Sequence, residues 1–237
     1  MRSGRGRPLF NNRYDAGRQL ATKLIEYKGQ QVKVLAIPNG GVPVGLEVAL
    51  ALEAELDLAI SRKIPLPNNP EAGFGALADD GTFILNDDLV ARLGLSSHQV
   101  NYQVNKVRAE IGQRNLLYRE NRPLAAVSGQ TIIVIDDGLA SGFTMLATLE
   151  SLRKRQPKKI IVAIPVASAS AYERVSKVAD RVVTIMTSTS QLFAVADFYQ
   201  YWHDLGENEV IQCLKEWQLR RSDSKLEPPQ KKEPLPE

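Results

Sequence analysis

The stretch whose reading decides the fold is Thr131–Met145, TIIVIDDGLASGFTM. It opens as an apolar, β-branched run, the composition of a strand buried on both faces. Asp136 and Asp137 close that run, small residues follow between Gly138 and Gly142, and a helical pattern opens near Thr144. A small-residue loop ahead of a helix N-terminus exposes backbone amides and the positive end of the helix dipole, which suits an anion such as phosphate. Thr144 can add its hydroxyl while capping that helix. A carboxylate repels a phosphate, so Asp136 and Asp137 suit neutral hydroxyls beside it, or a hard cation such as Mg²⁺. A buried strand ending in two acids is a costly way to make a plain turn.

Several familiar strand–loop–helix sites do not fit. A Walker loop needs lysine after its last glycine, where Phe143 stands. A dinucleotide fingerprint needs G-x-G-x-x-G, and here the glycines are four apart. A serine nucleophile elbow needs glycines two before and two after Ser141, where Leu139 and Phe143 stand. Adjacent aspartates on a strand point to opposite faces and cannot both aim at one reacting atom. A ligand with a phosphate at one end and vicinal hydroxyls next to it, a ribose 5-phosphate, fits both halves of the stretch.

Outward from this stretch, strands alternate with helices. Before it come a helical stripe of Ala16, Leu20 and Leu24, a strand at Val32–Pro38, a glycine-bearing loop, a helix through Val44, Val48 and Leu52, and a strand at Leu56–Ser61. After it come a helix from Thr144 to Arg155, a strand KIIVAIPVA, a helix over Ala171–Ala179 and a strand RVVTIM. This order predicts a parallel sheet covered on both faces. Between the halves, RKIPLPNNPEAGFGALADDGTFILN reads as a long Pro/Gly/Asn loop and then a hairpin at Asp80-Gly81. A short helix over Asp87–Leu93 and a long one with Val100, Val104, Val107 and Ile111 on one face follow; Lys106, Arg108, Arg114 and Arg119 on the latter read as a solvated basic face.

The composition is that of an ordinary soluble domain: 237 residues, 43% hydrophobic, 24% charged, with a net charge of +3 that is too small to argue for nucleic acid. A single cysteine, Cys213, excludes an internal disulfide and a cysteine-built zinc site, and it fits a reducing, cytoplasmic setting. His98 and His203 lack metal-ligand spacing. No apolar run approaches a membrane span, so no membrane partner is expected. Residues 1–11 are expected to be flexible, 12–219 to form the domain, and 220–237, rich in proline and charge, to be a disordered tail.

VIDDGLASGFTM resembles the 5-phosphoribosyl-1-pyrophosphate (PRPP) motif of the type I phosphoribosyltransferases, with Ser141 where Thr is commoner. IPNGGVPVG (Ile37–Gly45) resembles the family's pyrophosphate loop, and Ser61–Lys63 falls where members often carry basic residues at the end of the second strand. NRYDAGRQLA, GGVPVG and EAGFGA are similar to segments shared by one phosphoribosyltransferase-like branch. The resemblance implies an α/β fold: a Rossmann-like parallel-sheet core with helices on both faces, a small hairpin or flexible-loop insertion, and a C-terminal hood near residues 187–206 joined by the N-terminal segment.

The resemblance also implies roles. Gly138, Leu139, Ala140, Ser141, Gly142, Phe143 and Thr144 would hold the 5-phosphate. Pro38, Asn39, Gly40 and Gly41 would cradle the pyrophosphate, although relatives often carry Arg or Lys in place of Asn39. Asp136 and Asp137 would contact the ribose hydroxyls and, through water, Mg²⁺, and Arg62 and Lys63 would supply positive charge. The loop over Ile64–Gly75 would close as a lid, with Glu71 its one acid. Phe193, Phe198, Tyr199, Tyr201 and Trp202 would either stack an acceptor base or serve as core. The implied activity is Mg²⁺-dependent phosphoribosyl transfer to a nitrogenous acceptor, by a homodimer. The alternatives are a non-catalytic PRPP-binding regulator, which could use its basic face on nucleic acid, and a phosphosugar hydrolase or phosphotransferase.

Overall fold

The computed structural model describes residues 8–119 and 125–226. Most of the N-terminal segment expected to be flexible, residues 1–7, lies outside that range. Helix α1 (Arg13–Thr22) is capped by Asn12, whose side chain accepts from the Asp15 amide at 2.9 Å. The predicted stripe of Ala16, Leu20 and Leu24 is fully buried.

Five strands make one parallel sheet: β1 (Val32–Ala36), β2 (Glu55–Leu58), β6 (Thr131–Ile135), β7 (Lys159–Ser168) and β8 (Arg181–Ser188), in the order β2–β1–β6–β7–β8. The apolar run of β6 feeds both faces, as the period of two requires. Ile133 and Ile135 join the layer built on α1 and α2 (Gly41–Leu52). Ile132 and Val134 join the layer built on α5 (Phe143–Lys154) and α6 (Ala169–Ser176). From β1 the chain moves outward to β2, and from β6 it moves the other way to β7 and β8. The loops after β1 and β6 therefore diverge, and the crevice between them is the topological switch point, where open α/β sheets bind ligands.

The Pro/Gly-rich insertion is not a long loop. It folds as β3 (Ser61–Leu66), β4 (Asn69–Ala78) and β5 (Phe83–Leu85), a separate antiparallel sheet. Its prolines, Pro65, Pro67 and Pro70, gather at the tip of the β3–β4 hairpin, and the register shifts on either side of Pro65. Prolines at such irregularities cost the ladder little. The regular part carries Ile64, Phe74 and Leu77 into the core, all fully buried. The second strand of the main sheet ends at Leu58, so Ser61–Lys63 begin the hairpin instead of ending that strand. The expected turn at Asp80-Gly81 is present, with Gly81 at φ +87°.

Helices α3 (Asp87–Arg92) and α4 (Ser97–Arg119) follow, with Val104, Val107 and Ile111 of α4 buried. The basic residues of α4 are not uniformly solvated, because the helix packs on β3 and β4. Arg119 is buried, donates to the Leu58 carbonyl, and pairs with Asp57 at 3.5 Å and Asp79 at 3.7 Å.

Helix α7 (Glu207–Leu226) lies on α2 and continues past Arg220, where the sequence reading placed the start of a disordered tail. Trp217 packs against the core, Arg220 pairs with Glu216 at 3.1 Å, and Arg221 approaches Glu55 at 4.0 Å. These anchors extend the helix, and residues 227–237 lie outside the described residues.

Candidate active site

Two helices begin at the switch point, and each is led in by glycine. Gly40 precedes α2 and Gly142 precedes α5, and neither helix receives a capping side chain. At α5 the first amides are thus left for a ligand; at α2 the Gly41 amide donates to Ile37 at 3.0 Å and the Val42 amide to Asn39 at 3.2 Å, and Pro43 has no amide hydrogen. Gly142 stands at φ +80°, in the left-handed region that a side chain disfavours. Gly40 is pressed onto the acidic loop: a Cβ there would lie 2.0 Å from Asp137 Oδ2.

The loop after β6 is held from behind. The Leu139 amide donates to Val166 at 2.9 Å and the Ser168 amide donates to Leu139 at 2.9 Å. Ser168 Oγ donates to the Ala140 carbonyl at 2.7 Å, and Arg174 donates to the Ser141 carbonyl. In a trans peptide the carbonyl and the next amide point opposite ways. Anchoring the Ala140 and Ser141 carbonyls this way turns the Ser141 and Gly142 amides to the other side. Thr144 does not cap the helix as the sequence suggested; it sits inside the first turn and lines the crevice.

The crevice opens into a cavity of about 370 Å³ lined by backbone or side chains of Ile37, Pro38, Asp136 and Thr144 on the sheet side, and by Arg62, Lys63, Pro65, Lys106, Glu110 and Arg114 on the hairpin and α4. The two expected cations, Arg62 and Lys63, are there, and α4 adds two that were read as surface charge. Arg62 pairs with Glu110 at 3.0 Å, and burial and then the Arg114 charge lower its pKa.

Asp136 and Asp137 part company, as adjacent strand residues must. Asp136 lines the cavity. Burial and then the Asp137 carboxylate push its carboxyl well above the ordinary range. Asp137 turns behind the loop, where its Oδ2 accepts from Arg13 Nε at 2.8 Å. Burial also raises Asp137, with Arg13 opposing. Arg13 is buried, donates to the His203 carbonyl at 2.9 Å, and lies 3.7 Å above the Trp202 ring. Tyr199 donates its hydroxyl to the Asp137 carbonyl at 2.6 Å. The direct ribose contact expected of both acids is thus supported by placement for Asp136 alone. Sequence reasoning missed Arg13, although NRYDAGRQLA carried it; nothing local to that helix says which acid it will meet.

Asn39 does not face the cavity with its side chain. It donates from Nδ2 to the Leu205 carbonyl at 2.6 Å and accepts from the Tyr118 hydroxyl at 3.0 Å, tying the loop to α4 and the segment before α7. Most of the aromatic segment is core rather than a stacking platform. Tyr199 packs on Phe10 and Trp202 with ring centroids 5.2 and 5.1 Å apart, Phe193 packs on Phe198, and only Tyr201 is largely exposed. Among the described residues no aromatic side chain lines the cavity.

A parallel sheet with glycine-led helices at its switch point, an acid between them and cations opposite, is the frame on which open α/β proteins bind ligands. The phosphoribosyl transferase domain model matches residues 9–201, and the chain belongs to that family. Two Mycobacterium tuberculosis proteins, from strains CDC 1551 / Oshkosh and H37Rv and named "Putative phosphoribosyl transferase", are each 36% identical over 206 residues, 87% of this chain. The chain spans about half their length, 46%. The crystal structure of TT1426 from Thermus thermophilus superposes with a TM-score of 0.71 at 32% identity, covering 88% of this chain and 98% of that one.

Proposed function

We propose that this domain binds PRPP with Mg²⁺ and transfers its phosphoribosyl group to a nitrogenous, nucleobase-like acceptor. The observation that carries the reading is the uncapped N-terminus of α5 opening on a crevice that Asp136, Thr144 and the Arg62 and Lys63 cations line. The amides of Ser141, Gly142, Phe143 and Thr144 and the Thr144 hydroxyl bind the 5-phosphate, while the Leu139 amide anchors the loop to Val166. The Asp136 carboxylate accepts from a ribose hydroxyl and lies near C1, where negative charge favours the cation that develops as the pyrophosphate bond breaks. The loop Pro38–Gly41, through its Asn39 and Gly40 amides, and the Arg62 and Lys63 side chains receive the leaving group. Asp137, fixed by Arg13, holds Gly40 and the acidic loop in register instead of touching the sugar.

Among the described residues no group of three or more His, Cys, Asp or Glu could cage a metal. The donor set fits an ion held mainly by substrate oxygens and water, with Asp136 the acid on the loop side and Glu110, across the cavity, engaged by Arg62. Bound there, Mg²⁺ would neutralise the leaving pyrophosphate. No helix among the described residues is long and apolar enough to cross a membrane, and a cytoplasmic homodimer is the setting we propose.

The test is pyrophosphate release from PRPP and Mg²⁺ with a panel of purine, pyrimidine and pyridine acceptors. Turnover that Asp136→Asn abolishes is the expected result. Saturable PRPP binding with no turnover on any acceptor replaces the transferase with a PRPP-binding regulator, and no PRPP binding at all removes the donor assignment.

A further inference from the structure

We propose that Lys106 and Arg114 of α4 form an oxyanion subsite for the pyrophosphate group, across the cavity from the acidic loop. The inference rests on the PRPP reading above and adds residues to it. The loop after β1, Pro38–Gly41, brings no charged side chain to the cavity, and both ends of the Asn39 amide are committed to Leu205 and Tyr118. The cradle on that side is backbone only, and a doubly phosphorylated leaving group calls for positive charge from elsewhere.

Helix α4 supplies it. Lys106, Glu110 and Arg114 are spaced i, i+4, i+8, which puts them on one helix face, and all three line the cavity. Glu110, the acid of the stripe, is engaged by Arg62 at 3.0 Å. Arg114 is mostly buried, and its Nε has no hydrogen-bond partner. The carboxylate it faces, Glu207, stands 3.8 Å away, beyond hydrogen-bond reach. Glu207 therefore does not satisfy Arg114, and the charge that Arg114 brings to the cavity lining is left for an oxyanion there. Arg62 stands close enough to feel the Arg114 charge, so an anion between them also relieves the repulsion of two partly desolvated cations. The ribose 5-phosphate end of the ligand lies at Asp136 and Thr144, and the diphosphate then extends toward α4.

The experiment uses the full chain and two separate probes, inorganic pyrophosphate with Mg²⁺ and ribose 5-phosphate, followed by calorimetry and thermal shift. The wild type is expected to bind both. Lys106→Ala with Arg114→Gln should weaken pyrophosphate binding by about tenfold or more, the scale of losing charged hydrogen bonds, and leave ribose 5-phosphate binding within about twofold. Lys106→Ala alone changes an exposed position and keeps the fold; it should weaken pyrophosphate by roughly threefold and flatten the salt dependence of binding. Pyrophosphate affinity equal to wild type in both variants overturns the inference. So does a wild type that binds ribose 5-phosphate but not pyrophosphate, and that result leaves the acidic-loop reading standing. Binding of neither probe takes down both.

Discussion

The protein uses the same strand–glycine–helix turn twice, after β1 and after β6, and the two copies divide the labour differently. After β6 the side chains work: Asp136 and Thr144 face the cavity while partners on β7 and α6 hold the backbone from behind. After β1 the backbone is what remains, since Asn39 spends its side chain on Tyr118 and Leu205. The difference teaches that a loop's chemistry is set by what is packed behind it as much as by what it contains. Asp137 is the hinge of the comparison, because it belongs to one loop and presses on Gly40 of the other.

Breaking that hinge should have the largest effect. Asp137→Ala leaves Arg13 buried without its partner, and such losses cost about 3–5 kcal/mol. The melting temperature should fall by roughly 10 °C, with PRPP binding lost because both loops shift; an unchanged melting curve would show the pair to be incidental. Asn39→Lys puts a cation into the loop after β1, at the expense of two hydrogen bonds. It should destabilise by about 2 kcal/mol without tightening PRPP binding, whereas a tighter complex would mean the side chain can swing into the cavity. Thr144→Val removes one hydroxyl from the working loop. It should weaken PRPP by about tenfold with little change in unfolding.

The smallest expected effect has the opposite sign. The Asp136 pKa is raised in the folded protein, so the fold holds that proton more tightly than the unfolded chain does. The stability this gives is complete below the ordinary value of about 3.9 and is lost as pH rises through the raised value. Asp136→Asn, which mimics the protonated acid, should therefore raise the melting temperature at pH 7 and lose that advantage as pH falls below the ordinary carboxyl value. A variant less stable at neutral pH would show that the carboxylate is needed by the fold rather than by the ligand.

The insertion shows where local reading stops. Pro65, Pro67 and Pro70 read as a loop because proline breaks ladders, yet the hairpin places Pro65 and Pro70 where its register slips and Pro67 in the turn between its strands. Lys106 and Arg114 read as solvated because a helix face bearing cations usually is. Only the docking of α4 on the hairpin turns that face toward the crevice.

What the sequence determined by itself is the parallel α/β core and the acidic, small-residue loop that leads into a helix. The reason is that burial on both faces, helix periodicity and small residues before a helix act over a few neighbouring residues. Tertiary structure alone decided which of the two aspartates meets the cavity, where Asn39 spends its amide, and which cations join Arg62 and Lys63. Each of those depends on a partner far along the chain: 124 residues between Arg13 and Asp137, 166 between Asn39 and Leu205. Hydrogen bonds and ion pairs across such separations exist only once the layers have packed, and no spacing within the sequence announces them.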